Sequence, residues 1–220
     1  MIFRYIVLFL AFLFISCKEN AAGEYASVDY YFDEPQPVNN RPLKTIPTQF
    51  RGSYSHSNDE VLNITDKAVY FDYQQNIALP LSEKDSLFKS PQYKDGKITY
   101  YNPYSRFDVT VKDSVYLSGF TRDSIFNLSD TNIAKLYKGR LILSHRDSIF
   151  WKVNILAVSK DSLYWKHLSL EDYKNISVFI KDFAVNNDTI GVLIKPTKKE
   201  FKQLLDMNMS WQRRYKRVRG

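Results

Sequence analysis

Residues 141–168, LILSHRDSIFWKVNILAVSKDSLYWKHL, carry the clearest secondary-structure pattern of the chain. Aliphatic and aromatic residues dominate 141–143, 149–158 and 163–168, and polar residues separate these runs at 145–147 and 160–161. Such apolar runs are typical of β-strands. The intervening Asp and Ser favour tight turns, because their side chains hydrogen-bond to backbone groups two residues on. The stretch therefore predicts a three-stranded antiparallel meander.

A five-residue phrase in this stretch recurs along the chain. It consists of a basic residue, Asp, Ser, an aliphatic residue and an aromatic residue, and it begins at Lys84, Lys112, Arg122, Arg146 and Lys160. Successive phrases are 10 to 28 residues apart, which excludes a solenoid repeat. We interpret each phrase as a turn followed by the start of a strand, rather than as a catalytic or metal-binding group. The fold class predicted from this pattern is all-β, an antiparallel meander.

The β-domain is predicted to open with residues 46–54, IPTQFRGSY, and a second strand follows at 61–65, VLNIT. This opening resembles the start of the lipocalin-like domains of bacterial lipoproteins, in which a Gly and then a large aromatic residue open the first strand. Gly52 and Tyr54 match that motif, with Tyr at a position where Trp is commoner. The resemblance implies a lipocalin-like barrel or a strongly curved sheet, and barrel closure would also remove exposed strand edges.

The N-terminus has the features of a bacterial lipoprotein precursor. Residues 5–15 form an unbroken apolar and aromatic run, which is shorter than the roughly 20 residues of a membrane-spanning helix and fits a secretory signal. Ser16-Cys17 resembles the lipobox of type II signal peptides, with Phe14 where Leu is usual. The resemblance implies removal of residues 1–16 and acylation of Cys17. Because Cys17 is the only cysteine, an internal disulfide is excluded.

These features predict a cell-envelope protein anchored in the outer membrane, periplasmic or surface-exposed. Residues 1–16 are the signal peptide, 17–47 a lipidated flexible tether, 48–196 the β-domain, and 197–220 a C-terminal helix with a basic tail. Prolines at 35, 37, 42 and 47 stiffen the second half of the tether. Thr197 and Glu200 form a capping box that begins the helix. Six apolar residues follow at helical spacing, with a break near 206–208: Phe201, Leu204, Leu205, Trp211, Tyr215 and Val218.

The positive charge of the chain is concentrated at its C-terminus. The net charge is +7, and residues 195–220, with nine Lys or Arg against two Asp or Glu, account for a local +7. The body is therefore neutral, which argues against a nucleic-acid partner. The sharpest basic run comprises Arg213, Arg214, Lys216, Arg217 and Arg219. Two interpretations stay open for it: cations that complement the C-terminal dipole of a helix, or contact with anionic lipid head groups or an acidic partner.

Motifs of common enzyme classes are missing from the sequence. None of His56, His145 and His167 has a second His at metal-ligand spacing, and the chain contains no Cys-x-x-Cys, G-x-S-x-G or phosphate-binding glycine loop. We therefore predict no metal, no cofactor and no catalytic residue. The expected function is non-catalytic binding of a small apolar ligand or an envelope protein. The alternative is an envelope hydrolase or isomerase whose site is assembled from distant residues.

Three structural outcomes would separate these functions. A cavity lined by Tyr, Phe and Trp inside a barrel would favour ligand binding. A filled core with an exposed aromatic patch would favour a protein partner. A cleft that groups Asp, Glu or His would favour an enzyme.

Overall fold

The computed structural model describes residues 29–57, 59–99, 103–186 and 191–218; Cys17 and Arg219 lie outside these ranges. The described residues form one fifteen-stranded sheet with three short α-helices. The strands are β1 (Asp29–Phe32), β2 (Gly52–Ser57), β3 (Glu60–Ile64), β4 (Ala68–Leu79), β5 (Tyr93–Lys94), β6 (Lys97–Thr99), β7 (Arg106–Val111), β8 (Val115–Asn127), β9 (Asn132–Tyr137), β10 (Arg140–Asp147), β11 (Phe150–Ser159), β12 (Ser162–His167), β13 (Phe183–Asn186), β14 (Gly191–Ile194) and β15 (Trp211–Arg217). The helices are α1 (Lys84–Lys89), α2 (Tyr173–Ile176) and α3 (Lys198–Asp206).

The meander predicted from residues 141–168 is confirmed. Strands β10, β11 and β12 pair in antiparallel register, with Leu141 opposite Leu156 and Leu156 opposite Trp165. Ser148 and Lys160, in the two connecting turns, have φ values of 58° and 54°. The phrases that begin at Arg146 and Lys160 thus make turns, as predicted.

Two other copies of the phrase do not make the predicted turns. The copy that begins at Lys84 forms helix α1, with Asp85 in its first turn. The copy that begins at Arg122 lies within β8, opposite a register shift between Val69 and Tyr70 of β4. Asp and Ser favour helix starts as well as turns, and a bulge absorbs a polar pair within a long strand. The phrase alone therefore underdetermines the local structure.

Over the described residues the sheet is curved and does not close into a barrel, which confirms the curved-sheet form of the prediction. Its main path is β9-β10-β11-β12-β15-β2-β3-β4-β8-β7-β6-β5, and β1, β14 and β13 continue from β11 as a second arm. Strand β1 is parallel to β14, so the sheet is mixed. Residues 43–46 bridge the seam between β9 and the turn that precedes β4: the Leu43 N–H donates to the Ala134 carbonyl at 2.8 Å, and the Ile46 N–H donates to the Asp66 carbonyl at 2.7 Å.

Two apolar cores lie on opposite faces of β10 and β11. The body core fills the concave side of the sheet; its members include Tyr54, Leu62, Phe71, Leu141, Leu156, Trp165 and Tyr215. The helix-side core lies beneath α3; its members include Tyr30, Phe32, Ile142, Trp151, Phe201, Leu204 and Leu205. Leu141 and Ile142 are neighbours in sequence and serve different cores, because successive side chains of a strand point to opposite faces.

A third cluster forms where β4 and β8 extend past their neighbours. The distal halves of these strands, together with β5, β6, β7 and α1, make the outer lobe, residues 74–99 and 103–120 of the described chain. The buried apolar residues of this cluster are Leu87, Ile98, Phe107, Val115 and Leu117. Strand β7 lies so close to β8 at Gly119 that a Cβ there would be 2.0 Å from the Arg106 carbonyl oxygen.

The structure corrects the predicted tether, because residues 29–47 pack on the domain. Strand β1 pairs with β11 and β14, and its Tyr30 and Phe32 are buried in the helix-side core. The buried Lys135 Nζ donates hydrogen bonds to the carbonyls of Pro35 and Pro37 at 2.6 and 2.9 Å. We call residues 29–47 the strap. Tyr30 and Phe32 alternate with outward-facing residues, a pattern typical of a strand. The prolines that follow led to the prediction of a tether instead.

The C-terminal region is also corrected. Helix α3 is confirmed, with Thr197 as N-cap and Glu200 completing the capping box, but it ends at Asp206. Residues 211–217, predicted as helix and basic tail, form β15 between β12 and β2. Trp211 and Tyr215 are four residues apart, a spacing that fits one face of a helix and one face of a strand equally well.

Candidate functional site

The predicted basic run does not form one surface. Since residues alternate along β15, Arg213 and Arg217 share a face with the buried Tyr215, and Arg214 and Lys216 lie on the exposed face. Arg213 Nη1 is 3.7 Å from a carboxylate oxygen of Glu60. The two inward arginines thus have partners inside the domain. The predicted Arg219 lies outside the described residues.

Arg217 holds the strand opening together. Its Nη1 donates to the Arg51 carbonyl at 2.7 Å, and its Nη2 donates to the Gln49 carbonyl at 3.0 Å and to the Tyr54 hydroxyl. The guanidinium lies 4.7 Å from the centre of the Tyr54 ring. A Cβ at Gly52, where φ is 133°, would come within 2.6 Å of Arg217 Nη1. Gly52 and Tyr54 of β2 therefore make room for Arg217 and bind it, so that β15 packs against β2.

The outward pair is more accessible. Arg214 donates to the Ser162 Oγ through Nε at 3.1 Å and Nη2 at 2.9 Å, and it lies 5.8 Å from the Tyr164 ring centre. Lys216 is exposed. Of the described residues in the predicted basic run, only Arg214 and Lys216 are placed to meet a surface from outside.

Aromatic side chains fill the body core. Phe71 and Trp165 stack with ring centres 5.7 Å apart and planes 7° from parallel, and Tyr215 lies 6.0 Å from Phe71. Tyr54 and Leu156 are fully buried among them. Burial raises the pKa of Tyr54 and of Tyr215, so both phenols stay neutral at physiological pH. The Tyr, Phe and Trp residues of the concave face thus serve packing.

The three histidines are separated in the structure. His56 Nδ1 is 3.0 Å from the Arg214 carbonyl oxygen, His145 contacts the Asn132 side chain, and His167 stacks on Trp211 with ring centres 3.8 Å apart. Burial lowers the pKa of His167, although Asp29 and Asp172 oppose the shift. Across the ranges that the structure describes, no three His, Cys, Asp or Glu side chains are grouped closely enough to hold a metal ion.

An apolar opening lies in the outer lobe, and we call it the outer cleft. Its volume is about 1010 Å³. Its lining includes five aliphatic residues, Ile77, Leu79, Leu87, Ile98 and Leu117, two prolines, Pro80 and Pro103, and the polar residues Glu83, Ser86, Ser90, Gln92 and Thr99. Ile77 lies directly opposite Leu117 in the β4–β8 ladder. The floor is therefore one face of the sheet, with α1 contributing Leu87.

This cleft was not predicted from the sequence. The available signal is the alternation in QQNIAL (residues 74–79) and in VYLSGF (residues 115–120), which is typical of strands with one apolar face. The sequence did not show that these two strands extend past the other strands of the body. It also did not show that residues Lys84–Lys89 form a helix beside them. A search for paired strands much longer than the average of about six residues could have located the lobe.

Within the described ranges, no helix combines the length and apolar character needed to cross a membrane. No protein-family model, curated protein or solved structure matches the chain.

Proposed function

We propose that this chain is a membrane-anchored lipoprotein of the cell envelope whose β-domain binds a small apolar ligand in the outer cleft, without catalysis. The observation that carries the proposal is the cleft itself, about 1010 Å³ with five aliphatic side chains in its lining. Ligand sites are typically concavities of about 300–1,000 Å³ that are mostly apolar and carry a few polar groups for orientation. The outer cleft has this composition.

The energetics favour an elongated apolar ligand. Each methylene group that leaves water contributes about 0.8 kcal/mol, so an alkyl chain of about eight carbons would gain roughly 6 kcal/mol before the costs of association. Ile77 and Leu79 are only half-buried. A ligand would complete their burial, and the hydroxyl and amide groups of the lining would meet its polar end.

The anchor in this proposal rests on the sequence. The short apolar run of residues 5–15 and the Ser16-Cys17 pair support export and acylation. Several acyl chains on one cysteine hold a protein firmly on a membrane, since each buried methylene adds about 0.8 kcal/mol. With Cys17→Ala, we expect no incorporation of labelled fatty acid and loss of the salt-resistant membrane fraction. A variant that still pellets with membranes in high salt would contradict the anchor.

The ligand proposal is tested with the chain that lacks residues 1–16 and carries Cys17→Ala, so that no acyl chain competes for the cleft. The probe is N-phenyl-1-naphthylamine, a neutral fluorophore that brightens in apolar sites. We expect saturable binding to the parent and at least tenfold weaker binding to Ile77→Glu, because a carboxylate would enter the cleft floor.

The matched control is Ile149→Glu, at an isoleucine that is 66% exposed in the turn between β10 and β11. This variant should bind the probe like the parent, and both variants should melt as folded proteins. Equal binding by the parent, Ile77→Glu and Ile149→Glu would place the probe elsewhere, and no saturable binding to the parent would refute the ligand proposal.

A further inference from the structure

A second pocket lies on the opposite face of the strands that floor the outer cleft. Its volume is about 620 Å³, and we call it the outer-face pocket. Its lining includes Gln74, Tyr104, Arg106, Ser118, Phe120 and Arg122. Successive side chains of a strand point to opposite faces of the sheet. Gln74 and Ser118 therefore lie on one face of β4 and β8, and Ile77 and Leu117 of the cleft lie on the other, so that the sheet separates the two openings.

The pocket contains an arginine that is fixed by a chain of side-chain hydrogen bonds. Ser53 Oγ donates to Asn63 Oδ1 at 2.6 Å, and Asn63 Nδ2 donates to Asp72 Oδ2 at 3.0 Å. Asp72 in turn accepts from Arg122 Nε at 2.7 Å and Nη2 at 2.9 Å. This bidentate pair raises the pKa of Arg122. The network crosses four adjacent strands and holds the guanidinium plane in one orientation, which is how binding sites keep a contacting group in place.

Aromatic rings surround this guanidinium. Its central carbon lies 3.9 Å from the Tyr70 ring centre, 5.7 Å from that of Phe120 and 6.0 Å from that of Tyr104. Tyr104 is 62% exposed, which is unusual for so large a ring. An exposed aromatic face beside hydrogen-bonding groups suits a ligand that has one apolar face and a polar edge.

The charges of the pocket indicate the sign of that ligand. Three cations, Lys97, Arg106 and Arg122, face two carboxylates, Asp72 and Asp108. The Lys97–Asp108 pair is 3.3 Å apart and well exposed, so it holds together weakly. Arg106 is exposed at the pocket wall. A planar guanidinium binds a carboxylate through two parallel hydrogen bonds, and the pocket therefore favours an anionic group.

We infer that the outer-face pocket binds an acidic sugar unit of a glycan. A pyranose ring has an apolar face that stacks on Tyr104, and hydroxyls that reach Gln74 and Ser118. The carboxylate of a uronic acid meets Arg106. The guanidinium of Arg122, held in place by Asp72, contacts the edge of the sugar ring. This site is distinct from the outer cleft and does not depend on apolar ligand binding there.

The test titrates the chain that lacks residues 1–16 and carries Cys17→Ala with trigalacturonic acid and with the neutral trisaccharide maltotriose, by calorimetry. We expect the acidic sugar to bind at least tenfold more tightly, and to weaken as NaCl rises from 0.1 to 1 M, because the Debye length falls from about 10 to about 3 Å. Tyr104→Ala and Arg106→Gln should each weaken it at least fivefold.

Matched controls lie outside the pocket. Tyr116→Ala removes an exposed tyrosine on the same face, and Arg140→Gln removes an exposed ion pair with Asp206. Both should bind trigalacturonic acid like the parent, which would support the site. The inference is overturned if neither sugar binds at millimolar concentration, if acidic and neutral sugars bind equally, or if Tyr104→Ala and Arg106→Gln bind like the controls. Tighter binding of adenosine monophosphate with the same variant dependence would reassign the pocket to a flat aromatic anion.

Discussion

The body and the outer lobe share the long strands β4 and β8, but these strands pack differently in the two regions. In the body, β4 and β8 face the concave core, where Phe71 stacks on Trp165 and side chains such as Leu156 are fully buried. In the lobe, the apolar cluster has only five buried residues, of which Val115 and Leu117 lie on β8, and two openings flank the strands. The comparison teaches that stability resides in the filled body, and that room for ligands arises where strands extend beyond their neighbours.

Removing a core side chain from each region would test this division most strongly. Leu156→Ala should lower the free energy of unfolding by about 2–5 kcal/mol, because a cavity would remain among fully buried neighbours. Ile98→Ala in the lobe removes a comparable volume but should accelerate hydrogen exchange mainly in residues 74–120. Denaturant titration and exchange of backbone amides measure both. Uniformly faster exchange in Ile98→Ala would mean that body and lobe unfold as one unit.

A substitution at Gly119 would sharpen the role of close strand packing in the lobe. Gly119→Ala places a Cβ within 2.0 Å of the Arg106 carbonyl oxygen, so β7 must move away from β8. We expect a cost of about 1–3 kcal/mol to the lobe, as is usual for overpacking, together with weaker probe binding in the outer cleft. The neighbouring Ser118→Ala, which adds no atoms, should leave lobe exchange nearly unchanged. Native exchange rates in Gly119→Ala would show that β7 can shift without cost.

The basic strand offers a comparison within the body. Arg217→Gln loses hydrogen bonds to the Gln49 and Arg51 carbonyls, and we expect about 1.5 kcal/mol lower stability. Lys216→Gln, at the exposed neighbouring position, should change stability by less than about 0.5 kcal/mol. Thermal melts of both variants measure the two changes in stability. Similar melting temperatures would show that the inward arginine adds little to the body.

The smallest expected effect is a dependence of body stability on pH. Burial lowers the pKa of His167, so the unfolded chain binds a proton at higher pH than the folded chain does. Stability is therefore highest above the unfolded value of about 6.5 and falls as the pH drops below it. His167→Gln should flatten this part of the stability curve between pH 8 and pH 5. The control is His145→Gln, at an exposed histidine, which should keep the slope; an unchanged slope in His167→Gln would assign it to other groups.

The sequence predicted the features that depend on neighbouring residues. Alternation and turn residues in 141–168 gave the meander, and the Thr197–Glu200 pair gave the start of α3. Features that depend on distant partners escaped prediction. Residues 211–217 have apolar spacing that fits helix and strand alike, and the sheet edges of β12 and β2 decide in favour of a strand. Both pockets arise from the relative lengths of β4, β7 and β8, and the alternation within one strand does not show which strands it will extend past.

The strap changes how far the domain could move if Cys17 is acylated as proposed. A tether that ended at residue 47 would have about 30 residues and a contour length on the order of 100 Å. Because β1 begins at Asp29, only residues 18–28 separate the cysteine from the folded domain. Twelve Cα–Cα steps span about 40 Å at most. The domain would therefore work within about one protein diameter of the lipid surface, so that ligands dissolved in that surface, rather than ones far out in solution, are the ones it would meet most often.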